Sequence, residues 1–244
     1  MNWVRITEPL RCVLSRSVLH AVALCAAFLA VAFIALPVSP QAAAMPGRIE
    51  GIVRLVASGD GPIVSGAYPS RRVNRPVQHT PEIGNVIVFI KDAPRWSNLS
   101  PMRAKMMQTD ETFTPRVVAI TRGSTVEFPN SDPFFHNVFS LSRSATFDLG
   151  RYPRGQVRAR AFFQAGLIKV YCHLHSHMSA SIMVFDHPYF TTPTGDGAFT
   201  LNEIPPGDYR LSAWHERIGE SPKTVRVEPG GTTRIEFALP VDTQ

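Results

Sequence analysis

Nine consecutive residues, Val170-Tyr171-Cys172-His173-Leu174-His175-Ser176-His177-Met178, constrain this chain more than any other stretch. A thiol, three imidazoles and a thioether share a segment too short to spread them apart. The apolar run Leu167-Ile168-Lys169-Val170-Tyr171 leads in, and Ser179-Ala180-Ser181-Ile182-Met183-Val184-Phe185 leads out. Both read as β-strands, which places the donors on the loop of a hairpin. Thiolate and thioether are soft ligands that favour Cu(I), and imidazole suits copper in either oxidation state. The loop spacing is Cys-x2-His-x2-Met. A trigonal set of two histidines and one cysteine, with a weak axial methionine, needs one more histidine. His136, in Phe134-Phe135-His136-Asn137-Val138, is placed to supply it.

The cysteine count sharpens this reading. Residues 1–44 carry three arginines, then an apolar stretch over 18–38, then the small-residue run Ala42-Ala43-Ala44. This pattern predicts an export leader, with the mature chain starting near Met45 outside the cytoplasm, in the periplasm. The alternative is an uncleaved N-terminal membrane anchor, because the apolar stretch is close to the ~20 residues a spanning helix needs. Cys12 and Cys25 belong to the leader, so Cys172 is the one cysteine beyond it. An exported protein keeps a single thiol when it is buried or bound.

Three short blocks together resemble the cupredoxins, the small blue-copper proteins. They are Glu127-Phe128-Pro129-Asn130-Ser131-Asp132, then His136-Asn137-Val138, then Cys172-His173-Leu174-His175-Ser176-His177-Met178. The loop register is that of amicyanin. Azurin-like spacing would put the methionine at Ser181, and plastocyanin-like spacing at Ala180. The resemblance covers residues 104–187. With the flanking segments, the chain is also similar to exported plastocyanin-like proteins labelled methylamine utilization proteins. The resemblance implies one type 1 copper ion held by His136, Cys172, His175 and Met178, with Asn137 tying its strand to the cysteine loop. It implies electron transfer rather than enzymatic catalysis, with a redox partner protein such as a dehydrogenase or cytochrome. A copper-handling role in storage, delivery or sensing is the alternative.

The spacing of Cys172-His173 and His177 also fits multicopper oxidases. A trinuclear cluster, however, needs a set of paired His-x-His motifs. The seven histidines beyond the leader, with only 173, 175 and 177 clustered, do not supply it. His173 and His177 read as loop histidines near the site. His79, His187 and His215 read as ordinary polar residues, and Met102, Met106 and Met107 as core filler or surface.

Twenty-one prolines and sixteen glycines in 244 residues favour a loop-rich all-β protein. The alternating or apolar runs at 48–55, 63–67 and 85–91 predict strands. So do 104–108, 116–121, 125–128, 137–141, 145–149, 156–163, 167–172 and 179–185. Residues 96–107 could hold a helical turn after Ser97 or Ser100. Residues 188–244 repeat the style of 47–91. The phrases Gly195-Asp196-Gly197-Ala198-Phe199-Thr200-Leu201 and Pro206-Gly207-Asp208-Tyr209-Arg210-Leu211 resemble the second half of a carboxypeptidase-regulatory-like sandwich. Gly51-Ile52-Val53 and Gly66-Ala67 resemble its first half. The expected organisation is a leader (1–44), a discontinuous regulatory-like, transthyretin-like sandwich (47–91 plus 189–240), and an inserted or adjacent Greek-key cupredoxin domain (104–187). Net charge is +6, and +4 without the leader. No dense basic cluster with interleaved aromatics occurs, which argues against nucleic acid as a partner.

Overall fold

The computed structural model describes residues 45–57 and 82–241. The leader expected at 1–44 and the strand expected at 63–67 lie outside the described residues. Beyond a 3₁₀ turn at Glu82–Asn85, every named element is a strand. In chain order these are β1 (Gly47–Ala57), β2 (Val86–Ile90), β3 (Arg103–Lys105), β4 (Met107–Thr109), β5 (Thr112–Thr114) and β6 (Val117–Thr121). Next come β7 (Thr125–Pro129), β8 (His136–Ser142), β9 (Ala145–Tyr152), β10 (Val157–Ala161), β11 (Gly166–Tyr171) and β12 (Ser179–Phe185). The last are β13 (Phe190–Thr191), β14 (Ala198–Ile204), β15 (Gly207–His215), β16 (Gly219–Val227) and β17 (Thr232–Val241).

The architecture is an all-β stack of sandwiches. One sheet runs β6-β12-β11-β8-β9 and faces a smaller sheet, β10-β7-β3, with the β4-β5 hairpin beside them. Met106, Phe113, Val118, Ile120, Val126, Phe128, Ile168, Val170, Ile182 and Val184 fill the space between. The second pair of sheets runs β14-β1-β17 and β13-β2-β15-β16. Its core includes Ile49, Val53, Val88, Phe199, Leu211 and Phe237. Strands from both ends of the described chain share these sheets. β1 lies between β14 and β17, and β2 between β13 and β15.

Side chains alternate along a strand, so a continuous apolar run belongs to a strand covered on both faces. β2 and β12 show this directly. In β2, Val86, Val88 and Ile90 enter the core of the outer sandwich, while Ile87 and Phe89 point the other way. In β12, Ala180, Ile182 and Val184 enter the inner core, while Met183 and Phe185 point outward to meet Ile87, Phe89 and Trp214. Phe89 and Phe185 approach to 5.1 Å between ring centroids. At the rim of this contact Arg116 pairs with the nearly buried Glu216 at 2.8 Å, and Lys169 Nζ donates to Ser181 Oγ at 2.8 Å.

The outer sheet depends on glycine at two places. A Cβ on Gly51 would collide with the Ile235 carbonyl and the Phe199 ring, and one on Gly197 with the Val53 carbonyl. Gly197 also has φ +86°, in the left-handed region.

Three local expectations are corrected. Residues 104–108 form two strands rather than one. β3 pairs with β7, β4 pairs with β5, and Met106 turns inward between them, fully buried, with its N–H on the Glu127 carbonyl. Residues 96–107 form no helical turn, because neighbouring strands capture the backbone. Trp96 N–H donates to Asp186 and Thr125 N–H to Met102. His187 and His215 are buried at 4% and 0% exposure instead of lying in solvent. Burial is the largest influence on each, and it holds both rings toward the neutral form.

The pairing carries a direct consequence. β14 and β17 have no direct pairing with each other and meet only through β1, and β13 reaches β15 only through β2. A fragment of residues 189–240 loses both central strands. It is expected to be unfolded by circular dichroism and to show no cooperative melt, whereas a cooperative melt would mean that it forms a unit by itself.

Candidate metal centre

β8 and the connection from β11 to β12 bring the candidate donors together at one end of the inner sandwich. His136 is the first residue of β8 and is fully buried. Its strand pairs with β9, with His136 opposite Tyr152. β11 ends at Tyr171 and β12 begins at Ser179, so residues 172–178 form the connecting loop. The loop is pinned across its base by Cys172 N–H to the Met178 carbonyl at 3.3 Å, and internally by Met178 N–H to the His175 carbonyl at 3.0 Å. A short loop closed at its base holds its side chains with little freedom.

Cys172 Sγ lies 3.8 Å from His136 Nδ1 and 4.0 Å from His175 Nδ1, and the two Nδ1 atoms are 3.0 Å apart. Cys172 is 3% exposed and His175 is half-buried. Bonds of about 2.0 Å to imidazole nitrogen and about 2.3 Å to thiolate place trigonal N and S donors about 3.8 Å apart. The two sulfur–nitrogen separations match that spacing. The donor set, one thiolate and two imidazoles, suits copper. Met178, 1% exposed, belongs to the same core cluster as Cys172.

The surroundings prepare the thiol for a metal. Burial alone would raise its pKa. The imidazole of His136 and the backbone N–H groups of Asn137, His175 and Leu174 outweigh burial and bring it down to about 6. For His136, burial works against protonation, but the neighbouring Cys172 and Asp132 leave its pKa raised.

The partners around these groups are specific. Asn137 Oδ1 accepts the His173 N–H at 2.7 Å, and its Nδ2 donates to Asp148 at 3.2 Å, so Asn137 does tie β8 to the cysteine loop. Asn130 holds the other side, donating to the Phe134 and Tyr152 carbonyls. The Phe134 ring packs on His136 and His175 at 5.2 and 5.3 Å. His173 is stacked on Phe139 at 3.7 Å and points away from the cluster toward Asp148. His177, exposed, stands 3.3 Å from Glu111.

Asp132 was visible in the sequence only as the last residue of a stretch. In the structure its carboxylate lies 2.7 Å from His136 Nε2 and accepts the N–H groups of Asp110 and Glu111. A carboxylate four residues before a candidate histidine was the available signal, but residues 132–136 span a turn whose course the sequence does not specify.

Comparisons with known proteins are limited in extent. A sequence family described as polysaccharide lyase family 4, domain II, matches residues 174–235. No curated protein matches. Among solved structures, the chain is similar to a purple cupredoxin from Nitrosopumilus maritimus at 21% identity, covering 34% of this chain and 99% of that one, with a TM-score of 0.31. A reduced single-site mutant of amicyanin gives 19% identity over 33% of this chain and 80% of that one, with a TM-score of 0.32. A copper-containing nitrite reductase from Thermus scotoductus gives 24% identity over 39% of this chain and 25% of that one, with a TM-score of 0.34.

The Asn137 bridge sets an expectation for stability. Asn137→Ala leaves the His173 N–H without its acceptor in a part-buried position. A loss of about 1–3 kcal/mol is expected in denaturant unfolding of the metal-free protein. A midpoint unchanged from the native chain would mean that the bridge contributes nothing.

Proposed function

We propose that this chain is an exported single-electron carrier, with one type 1 copper ion held by His136, Cys172, His175 and Met178. The observation that carries the reading is the convergence of a buried thiolate and two imidazole nitrogens within 4.8 Å of one another. A metal that cycles between Cu(II) and Cu(I) supplies the redox chemistry when bound. The chain supplies everything else. Cys172 is the strong donor, readied by the backbone N–H groups around it. His136 anchors the buried side. Met178, the buried last residue of the loop, would be the weak thioether donor that tunes the potential. His175 is the half-buried ligand and the exit for the electron. Exposed Phe135 and Leu174 flank the cluster in sequence and offer apolar surface for a transient redox partner, such as a dehydrogenase or cytochrome.

Residues 1–44 fit a cleaved leader and hence a periplasmic location. No helix among the described residues is long and apolar enough to cross a membrane. Residues 47–91 with 189–240 would form a discontinuous sandwich bracing residues 104–187. No enzymatic step is assigned. One observation favours copper handling instead: His173 and His177 are exposed on the same loop, each near a carboxylate.

The copper-loaded protein is expected to show a strong visible thiolate-to-copper band and reversible one-electron voltammetry. Cys172→Ser should abolish both. Pale protein that binds mainly Cu(I), and releases it readily to a competing chelator, would establish the handling role instead. Met178→Gln is expected to keep copper bound and lower the reduction potential, because a harder oxygen donor favours Cu(II). An unchanged potential would remove Met178 from the ligand set.

A further inference from the structure

We propose that Asp132 is a positioning residue that fixes the metal-binding tautomer of His136, and thereby strengthens copper affinity and lowers the reduction potential. This rests on the reading of His136 as a copper ligand.

The geometry assigns each proton. Asp132 is 5% exposed. Its Oδ1 accepts the Asp110 N–H at 2.7 Å, and its Oδ2 accepts the Glu111 N–H at 3.0 Å and faces His136 Nε2 at 2.7 Å. An ionised carboxylate only accepts hydrogen bonds. The two backbone donors suit that form, so the third contact requires the proton on His136 Nε2. The lone pair then sits on Nδ1, the atom that faces Cys172 Sγ and His175 Nδ1. The ring is 0% exposed, so no solvent competes for Nε2.

The carboxylate is itself locked. Asp110 and Glu111 form the tip of the β4-β5 hairpin, with φ of 52° and 55°, in the left-handed region that non-glycine residues seldom occupy. Asp132 N–H is held in turn by Asn130 Oδ1 at 2.9 Å. Asp132 therefore joins two otherwise separate segments, the hairpin tip and the first residue of β8. It leaves one acceptor direction for the imidazole and no freedom to turn away. His175 is different: among the described residues no carboxylate lies within ion-pair range of it. The two histidines are thus unequal, one backed by a negative charge and one open toward solvent. A carboxylate behind a ligating imidazole raises its basicity and orients the ring. A nearby negative charge also favours the more positive metal state, Cu(II).

The test uses the copper-loaded chain with Asp132→Asn. The amide oxygen can keep the Asp110 N–H bond, but the NH₂ that replaces Oδ2 loses the Glu111 N–H, faces the ring and favours the wrong tautomer. The visible band should remain. Copper affinity should fall by about 10- to 100-fold in a chelator competition, and the reduction potential should shift upward. Nitrogen-detected NMR of the metal-free native protein should find the His136 proton on Nε2, slow to exchange. That measurement decides the matter even if the variant does not fold. Unchanged affinity and potential in a folded variant, or a His136 Nε2 without a proton in the native chain, would overturn the role. A native protein lacking the visible band would instead sink the carrier reading, while the tautomer remained measurable.

Discussion

Burial of β12 on both faces is the constraint on which the rest depends. Its even-numbered residues close the inner core and its odd-numbered residues meet the outer sandwich. A one-residue slip in its register would exchange the two sets. Polar Ser181 would then enter the inner core while Ile182 turned to the Lys169 side. The strand is pinned against slipping on both edges, antiparallel to β11 and parallel to β6. The residue before its first is Met178. The donor loop is therefore fixed at its far end by the same register that packs the two sandwiches together.

The near end is an electrostatic problem. A thiol carried into a core among Val170, Val138 and Met178 resists ionisation, yet a metal ligand must be a thiolate. The chain answers with backbone N–H groups from the loop and from Asn137, and with the imidazole of His136. These in turn need partners. A buried polar group left unpaired costs about 1–3 kcal/mol, so each member commits the next. Asn137 satisfies His173 N–H, Asp132 satisfies His136, and the hairpin tip satisfies Asp132. The β4-β5 hairpin, which is small and peripheral to both sheets, thereby becomes part of the centre's support.

The sequence disclosed the candidate donors because three of them lie within seven residues, where spacing alone limits the geometry. His136 was legible for a different reason: the trigonal set needs one more histidine, and the block His136-Asn137-Val138 carries the family resemblance. Continuous apolar runs made β2 and β12 readable as strands. What stayed hidden was whatever depends on two distant segments meeting. Met106 looks like one more strand residue until Glu127 captures its N–H and turns the chain between sheets. His187 looks polar until Phe185 and Tyr189 enclose it. Asp132 acquires its partners from residues 110, 111 and 136, and no local pattern announces a carboxylate that faces inward. β5 was missed because three residues following a tight turn show too little alternation.

The physical difference between a carrier and a handler of copper lies in access. An ion that must leave needs ligands that can be exchanged one at a time from solvent. Here Cys172, His136 and Met178 are each at least 97% buried, and their loop is closed at its base. His175 alone of the four is partly open. If these four side chains hold an ion, one imidazole at the surface is a narrow route for it, because the other three would have to release it through the protein core. The same imidazole is a sufficient route for an electron, which needs only a bonded path and a short gap to a partner. A site whose side chains are packed in a core on a closed loop also resists rearrangement when its charge changes, and that resistance is the property a carrier requires.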